Sequence, residues 1–156
     1  MVQERPDLMA LLEGGNDILR NQRSSRIKEN LAQMIEVAKQ QNVQVVMLGV
    51  PSKNLFSGSA SFYTELAEEY NLVFDGDLIR ELLLSPSYKS DSVHLNAAGY
   101  RALAEGVYKL LEDNGALLEL NLGAHTKRTL LLQGMISGDG DVQHVKRPLY
   151  RFSASI

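Results

Sequence analysis

A carboxylate and an imidazole stand three residues apart at Asp91 and His94. In a loop at the mouth of a set of strands, such a carboxylate can accept the proton on the imidazole Nδ1 and fix the tautomer of the ring. The other ring nitrogen is then available as a general base. Taken alone, this spacing recurs by chance and more often marks a surface or helix-capping pair.

A second candidate segment is Gly14-Gly15-Asn16-Asp17, which directly follows an apolar run. The glycines predict a turn, because they adopt backbone angles that other residues resist. The amide of Asn16 is then expected to project over the carboxyl edge of a sheet, where open α/β folds bind ligands. One such amide donor contributes about 2.7–4 kcal/mol to stabilising an oxyanion in other hydrolases. By itself the segment is more often a plain turn.

Short apolar runs alternate with amphipathic segments, which predicts the elements that position these residues. The predicted strands are 7–13, 43–50 and 72–74, and the predicted helices are 24–40, 62–70, 78–84 and 97–113. Ser24 or Ser25 is the expected N-cap of the first helix and Asn96 that of the last. The alternation requires right-handed crossovers, and therefore a three-layer α/β/α sandwich with a parallel sheet.

The composition changes near residue 115. Residues 1–114 carry a net charge of −5, from 11 basic and 16 acidic side chains, whereas 115–156 carry +2, from 5 and 3. We therefore expect one α/β domain over 1–115 and an appendage of uncertain order over 116–156, in which Thr129–Gln133 is a candidate strand.

Several functional classes are disfavoured by composition. A net charge of −3 without a block of Lys and Arg argues against nucleic acid, and no apolar run approaches the roughly 20 residues that span a bilayer. His125 and His144 lack metal-ligand spacing and the chain contains no cysteine, so we expect neither a metal nor a cofactor. The first twenty residues lack the pattern of a signal peptide, which predicts a cytoplasmic location for the sequence as given.

Taken together, the motifs resemble those of the SGNH (GDSL-like) hydrolases. A strand followed by G-G-N-D, a helix, a strand followed by G-x-P, and D-x-x-H-L-N-x-x-G before a last helix occur here in the order typical of that family. The resemblance covers about residues 5–115 and is nearest to the bacterial arylesterase, thioesterase and lysophospholipase branch. It implies a flavodoxin-like fold and a small acyl ester or thioester substrate, with no cofactor.

The resemblance also implies roles for individual residues. His94 matches the base that activates the serine, Asp91 the residue that orients this base, and Asn16 the oxyanion donor. Gly15 and Val93, their neighbours, are the expected substrate contacts.

The family's G-D-S-L strand, which carries the nucleophilic serine, has no counterpart before Met1, nor has the next strand with its oxyanion glycine. We therefore expect the fold to be incomplete at the N-terminus and the isolated chain to have negligible activity, since removing such a serine costs about a millionfold in subtilisin. Family members are often exported, so a signal peptide could belong to the missing part.

The chain contains other serines that are candidates for the nucleophile. The tail around Ser137 loosely echoes a permuted G-D-S-L elbow, although Gly140 stands at the serine position. Ser52, Ser57 and Ser59 are more simply turn hydroxyls. A partner chain could also supply the serine strand.

In the strand order that the family implies, the missing strand lies beside the strand at 7–13, and its absence leaves an apolar edge. This edge predicts self-association or occupation by another strand, for which Thr129–Gln133 is one candidate. The alternative to an ester hydrolase is a catalytically inactive α/β binding or assembly module.

Overall fold

A computed structural model describes residues 6–53 and 58–116 and the backbone of the strand at 130–133. Its strands form one parallel sheet in the order β3-β2-β1-β4. The strands are β1 (Leu8–Leu11), β2 (Gln44–Leu48), β3 (Val73–Asp75) and β4 (Leu130–Gln133). The helices are α1 (Gly15–Leu19), α2 (Ser24–Gln40), α3 (Ser61–Tyr70), α4 (Leu78–Leu84) and α5 (Ala97–Asp113).

The sheet is buried on both faces, because successive side chains of a strand point to opposite sides. In β1, Met9 and Leu11 join the core beneath α2 and α3, whereas Leu8 joins the core beneath α4 and α5. In β2, Val45 and Val46 divide in the same way. The predicted three-layer α/β/α sandwich with a parallel sheet is therefore confirmed.

The start of α2 differs from the prediction. Arg23, with an extended backbone, is the N-cap, and no side-chain hydrogen bond caps the helix, so the expectation for Ser24 or Ser25 was wrong. Five apolar residues of α2 recur at helical spacing and predict a buried face. Four of them are buried, namely Ile27, Leu31, Ile35 and Ala38. Met34 lies at the edge of this face and is 38% exposed.

Asn96 caps α5 as the sequence predicts: its side-chain oxygen accepts a hydrogen bond from the Gly99 N–H at 2.9 Å. Gly99 lies against the carbonyl of Tyr88, which follows α4 in a 3-10 turn (Pro86–Tyr88). A Cβ at Gly99 would be 2.1 Å from that carbonyl oxygen, so a larger residue cannot be accommodated without moving backbone.

The edge of β1 is occupied by the chain's own tail. β4 pairs in parallel with β1, with Leu130 opposite Leu8 and Gln133 opposite Leu11. This agrees with the hypothesis that Thr129–Gln133 takes the place beside the first strand. Residues 117–129 and 134–156 lie outside the described part of the chain, so the division into a domain and an appendage stays a prediction.

The contact between Gly99 and Tyr88 can be tested on a single helix. Gly99→Ala should lower the melting temperature, whereas the matched change Gly106→Ala should be neutral or stabilising, because its nearest neighbours are the movable methyl groups of Leu78 and alanine is favoured over glycine in helices by about 1 kcal/mol. Thermal unfolding followed by circular dichroism measures both. Equal melting temperatures would contradict the close approach at Gly99.

The pairing of β4 can be tested with two adjacent prolines. In a parallel edge strand, alternate N–H groups face the neighbouring strand, so proline at one of Leu131 and Leu132 removes a bond to β1 and proline at the other does not. We expect one variant to be less stable than the other by about 1 kcal/mol and to lose amide protection in β1. If neither variant changes exchange at Met9 and Ala10, β4 does not pair with β1 in solution.

Candidate functional site

The segment that carries Asp91 and His94 is a closed loop before α5. An antiparallel bridge between Lys89 and Leu95 joins its ends, and the Ser90 N–H donates to the His94 carbonyl at 2.9 Å. Inside the loop, Asp91 Oδ1 accepts hydrogen bonds from the N–H groups of Val93 at 2.8 Å and His94 at 2.9 Å. The aspartate therefore fixes the backbone that presents the histidine.

The same carboxylate contacts the imidazole, with Asp91 Oδ2 2.8 Å and Oδ1 3.0 Å from His94 Nδ1. The hydrogen bond from the Val93 N–H, followed by that from the His94 side chain, holds the pKa of Asp91 below its ordinary value of 3.8. An ionised carboxylate can only accept, so the proton of this hydrogen bond belongs to Nδ1. His94 Nε2 is then free of a proton in the neutral ring, as a general base requires.

Asn96 joins the loop to the helix that follows it. Its side-chain nitrogen donates to the carbonyls of Ser87 at 2.9 Å and Lys89 at 3.3 Å, while its oxygen caps α5. The position of the Asp91–His94 pair is thus fixed relative to the core beneath α5. The pair itself is open to solvent, with the His94 side chain 64% and the Asp91 side chain 54% exposed.

Asn16 lies just beyond the carboxyl end of β1, as the sequence predicts, but on a helix. Gly14 has a left-handed φ of 96°, which makes the turn, and Gly15 already begins α1. The prediction of a plain turn over the four residues was therefore incomplete: the Ile18 N–H donates to the Gly14 carbonyl at 3.0 Å and continues the segment as a helical turn. Asn16 is exposed and Gly15 half-buried.

Tyr63 also contacts this segment, although no motif in the sequence indicates it. This residue of α3 is fully buried, and its hydroxyl donates to the Glu13 carbonyl at 2.6 Å, directly before Gly14. Burial, followed by the nearby charges of Glu13 and Asp17, raises the pKa of Tyr63 well above its ordinary value. Phe62, Leu66 and Tyr70 stand four apart and predict the buried face of this helix, and that spacing does not include Tyr63.

The structure brings Asp91 and His94 into contact and places Asn16 on a separate element. An open polar groove of about 630 Å³ lies at the start of α2 and is lined by residues that include Asn21, Arg23 and Arg26. Asp91, His94 and Asn16 do not line this groove. Within 6–53 and 58–116 no group of three or more His, Asp or Glu side chains could hold a metal ion. No helix of the described residues is both long and apolar enough to cross a membrane.

Comparison with known proteins assigns the chain to a family and agrees with its fold. The sequence profile of the GDSL-like Lipase/Acylhydrolase family matches residues 1–102. The chain therefore belongs to the GDSL-like lipase/acylhydrolase family. A search of curated proteins gave no significant match.

Two solved structures are similar. TesA superposes with a TM-score of 0.60 at 21% identity, over 72% of this chain and 66% of TesA. The psychrotrophic esterase EstA from Pseudoalteromonas sp., in a structure inhibited by monoethylphosphonate, superposes with a TM-score of 0.62 at 18% identity, over 72% of this chain and 64% of EstA. At these identities the likeness concerns the fold. The chain spans slightly less than two thirds of the length of either protein.

The tautomer of His94 gives a direct test of the loop. In the intact protein the neutral ring should carry its proton on Nδ1, whereas Asp91→Ala should release this preference and increase exchange at the Val93 and His94 amides. Long-range ¹⁵N–¹H correlation spectra distinguish the tautomers, and Asp77→Ala, which removes an exposed aspartate paired with Arg80, is the matched control.

The lowered pKa of Asp91 predicts that the stability of the loop depends on pH. Stabilisation of the loop by this carboxylate should be complete above the unfolded pKa of about 3.9 and should be lost as the pH falls through the lower folded value. In the tautomer test, loss of the Nδ1–H signal in the Asp77→Ala control would contradict the assignment of this proton to the hydrogen bond between His94 and Asp91.

Proposed function

We propose that this protein contributes to the hydrolysis of carboxylic ester or thioester bonds in small acyl substrates by a serine mechanism. His94 is the general base, Asp91 orients it, and Asn16 is the oxyanion donor. The observation that carries the proposal is the contact of 2.8 Å between Asp91 Oδ2 and His94 Nδ1, made by a carboxylate that two backbone N–H groups already hold. Membership of a lipase and acylhydrolase family and the fold shared with the esterase EstA support it.

In this mechanism His94 Nε2 takes the proton of a serine hydroxyl while the serine oxygen forms a bond to the acyl carbon. The carbonyl oxygen becomes negative, and the amide of Asn16 donates to it. The bond to the alcohol or thiol then breaks, and His94 gives the leaving group its proton. Water repeats the sequence to release the acid and restore the serine. Gly15 and Val93 are the proposed contacts to the substrate.

The nucleophile of this reaction is proposed to lie outside the described residues. Within 6–53 and 58–116 the ring of His94 is hydrogen-bonded to Asp91 and to no serine hydroxyl. Three sources are consistent with the chemistry: a G-D-S-L segment encoded upstream, a strand from a partner chain, and Ser137 in the tail. We propose the first, in which case the isolated chain has negligible activity. Specificity for aryl, lysophospholipid or thioester substrates rests on the branch resemblance alone.

A second candidate is an inactive binding or assembly module. The pairing of β4 with β1 favours it, because a stable module that lacks the family's first strand needs another strand at this edge. The pairing of β4 with β1 also leads to a proposal about self-association. We propose that the chain is monomeric while β4 is paired with β1, and that it self-associates through the edge of β1 when β4 is displaced.

Ester turnover tests the leading proposal. Purified chain should hydrolyse p-nitrophenyl acetate and butyrate no faster than His94→Ala. A chain extended by an upstream G-D-S-L segment should show turnover that His94→Ala lowers by about a thousandfold or more, with Glu105→Ala, an exposed change on α5, as the matched control. A serine-reactive organophosphate, followed by peptide mass spectrometry, identifies the nucleophile.

Other outcomes separate the alternatives. Turnover by the chain as given, abolished by both His94→Ala and Ser137→Ala, would replace the upstream serine with the tail serine. An extended chain whose turnover is unaffected by His94→Ala would contradict the proposed mechanism, and an extended chain without turnover would favour the inactive module.

A further inference from the structure

Tyr63 lies beneath the segment that carries Asn16, although it is 50 positions from Glu13 in sequence. Its side chain is fully buried in the core beneath α2 and α3, and its ring packs against that of Phe62 with 4.5 Å between centroids. Its hydroxyl donates to the Glu13 carbonyl at 2.6 Å. A core side chain is therefore hydrogen-bonded to the backbone between β1 and α1.

The segment depends on such a contact because α1 has five residues, and an isolated helix of this length is not stable in water. Gly14 sets the direction of α1 with its left-handed φ, and a Cβ there would be 2.6 Å from the Tyr63 hydroxyl oxygen. The Tyr63 hydroxyl can reach the Glu13 carbonyl because Gly14 has no side chain. A side chain at Gly14 would occupy the space that the hydroxyl needs.

The hydroxyl is a constant donor. Burial raises the pKa of Tyr63 above its ordinary value, so the phenol retains its proton at neutral pH. Two residues beyond the other end of α1, the Lys53 ammonium donates to the side-chain oxygen of Asn21. The chain on either side of the short helix is therefore contacted by residues that lie after β2 in sequence.

We propose that Tyr63 is a positioning residue for Asn16: by holding the Glu13 carbonyl, it fixes the orientation of the first turn of α1 and so of the amide that would meet the oxyanion. The role of Asn16 rests on the proposed function, whereas the contact and its effect on α1 do not.

The test replaces Tyr63 with Phe, which removes the hydroxyl and keeps the packed ring. Tyr70→Phe is the matched control, since Tyr70 lies on the same helix and donates its own hydrogen bond, to Glu36 at 2.8 Å, away from α1. Melting temperatures establish that both variants are folded.

The first readout is hydrogen exchange at the amides of Ile18 and Arg20, which donate to the carbonyls of Gly14 and Asn16 at 3.0 Å. Losing one hydrogen bond to a partly buried carbonyl should make these amides exchange about tenfold faster in Tyr63→Phe and leave them unchanged in Tyr70→Phe. Unchanged exchange in Tyr63→Phe, or equal acceleration in both variants, would overturn the inference.

The second readout uses the extended, catalytically competent chain. Tyr63→Phe should lower kcat about tenfold with KM within about twofold, and it should have no further effect on kcat when Asn16 is already Ala. An equal loss of kcat in the Asn16→Ala background would show that Tyr63 acts elsewhere, and would overturn the inference. If no His94-dependent turnover is found, the proposed function fails, and exchange at Ile18 and Arg20 still decides whether Tyr63 orders α1.

Discussion

Everything in this fold depends on the hydrogen bonding of β1. Its four residues are at most 6% exposed, so the backbone groups along both of its edges must be paired within the protein. β2 satisfies one edge and β4 the other. Because this strand is held in register on both sides, its carboxyl end is a fixed point from which the left-handed Gly14 can start α1 and present Asn16.

The two halves of the candidate site are built in opposite ways. Asp91 and His94 belong to a short loop whose order is local: one carboxylate accepts from two backbone N–H groups and from the imidazole, and Asn96 attaches the loop to α5. The chain on either side of the helix that carries Asn16 is contacted instead by distant residues, Tyr63 and Lys53. The first half can be recognised from a motif, whereas the second needs the sheet and α3 to be in place.

The exposure of the site is informative about how an activity would arise. A general base in a working serine hydrolase acts in a site from which water is largely excluded, whereas His94 is 64% exposed. The pair is oriented for proton transfer but has no covering wall among the described residues. The proposed serine segment would supply both the nucleophile and this wall, which is why we place it outside the described part of the chain.

The sequence by itself determined the fold class, α4, the cap of α5 and the pairing of Asp91 with His94, because each depends on periodicity or on residues a few positions apart. It located Asn16 at the end of a strand for the same reason. Only the tertiary structure decided that α2 begins directly after Arg23, that Asn16 lies on a helix and that the Tyr63 hydroxyl donates to the Glu13 carbonyl. The contact of Tyr63 with Glu13 joins residues 50 positions apart in sequence, to which neither helical spacing nor a short motif is sensitive.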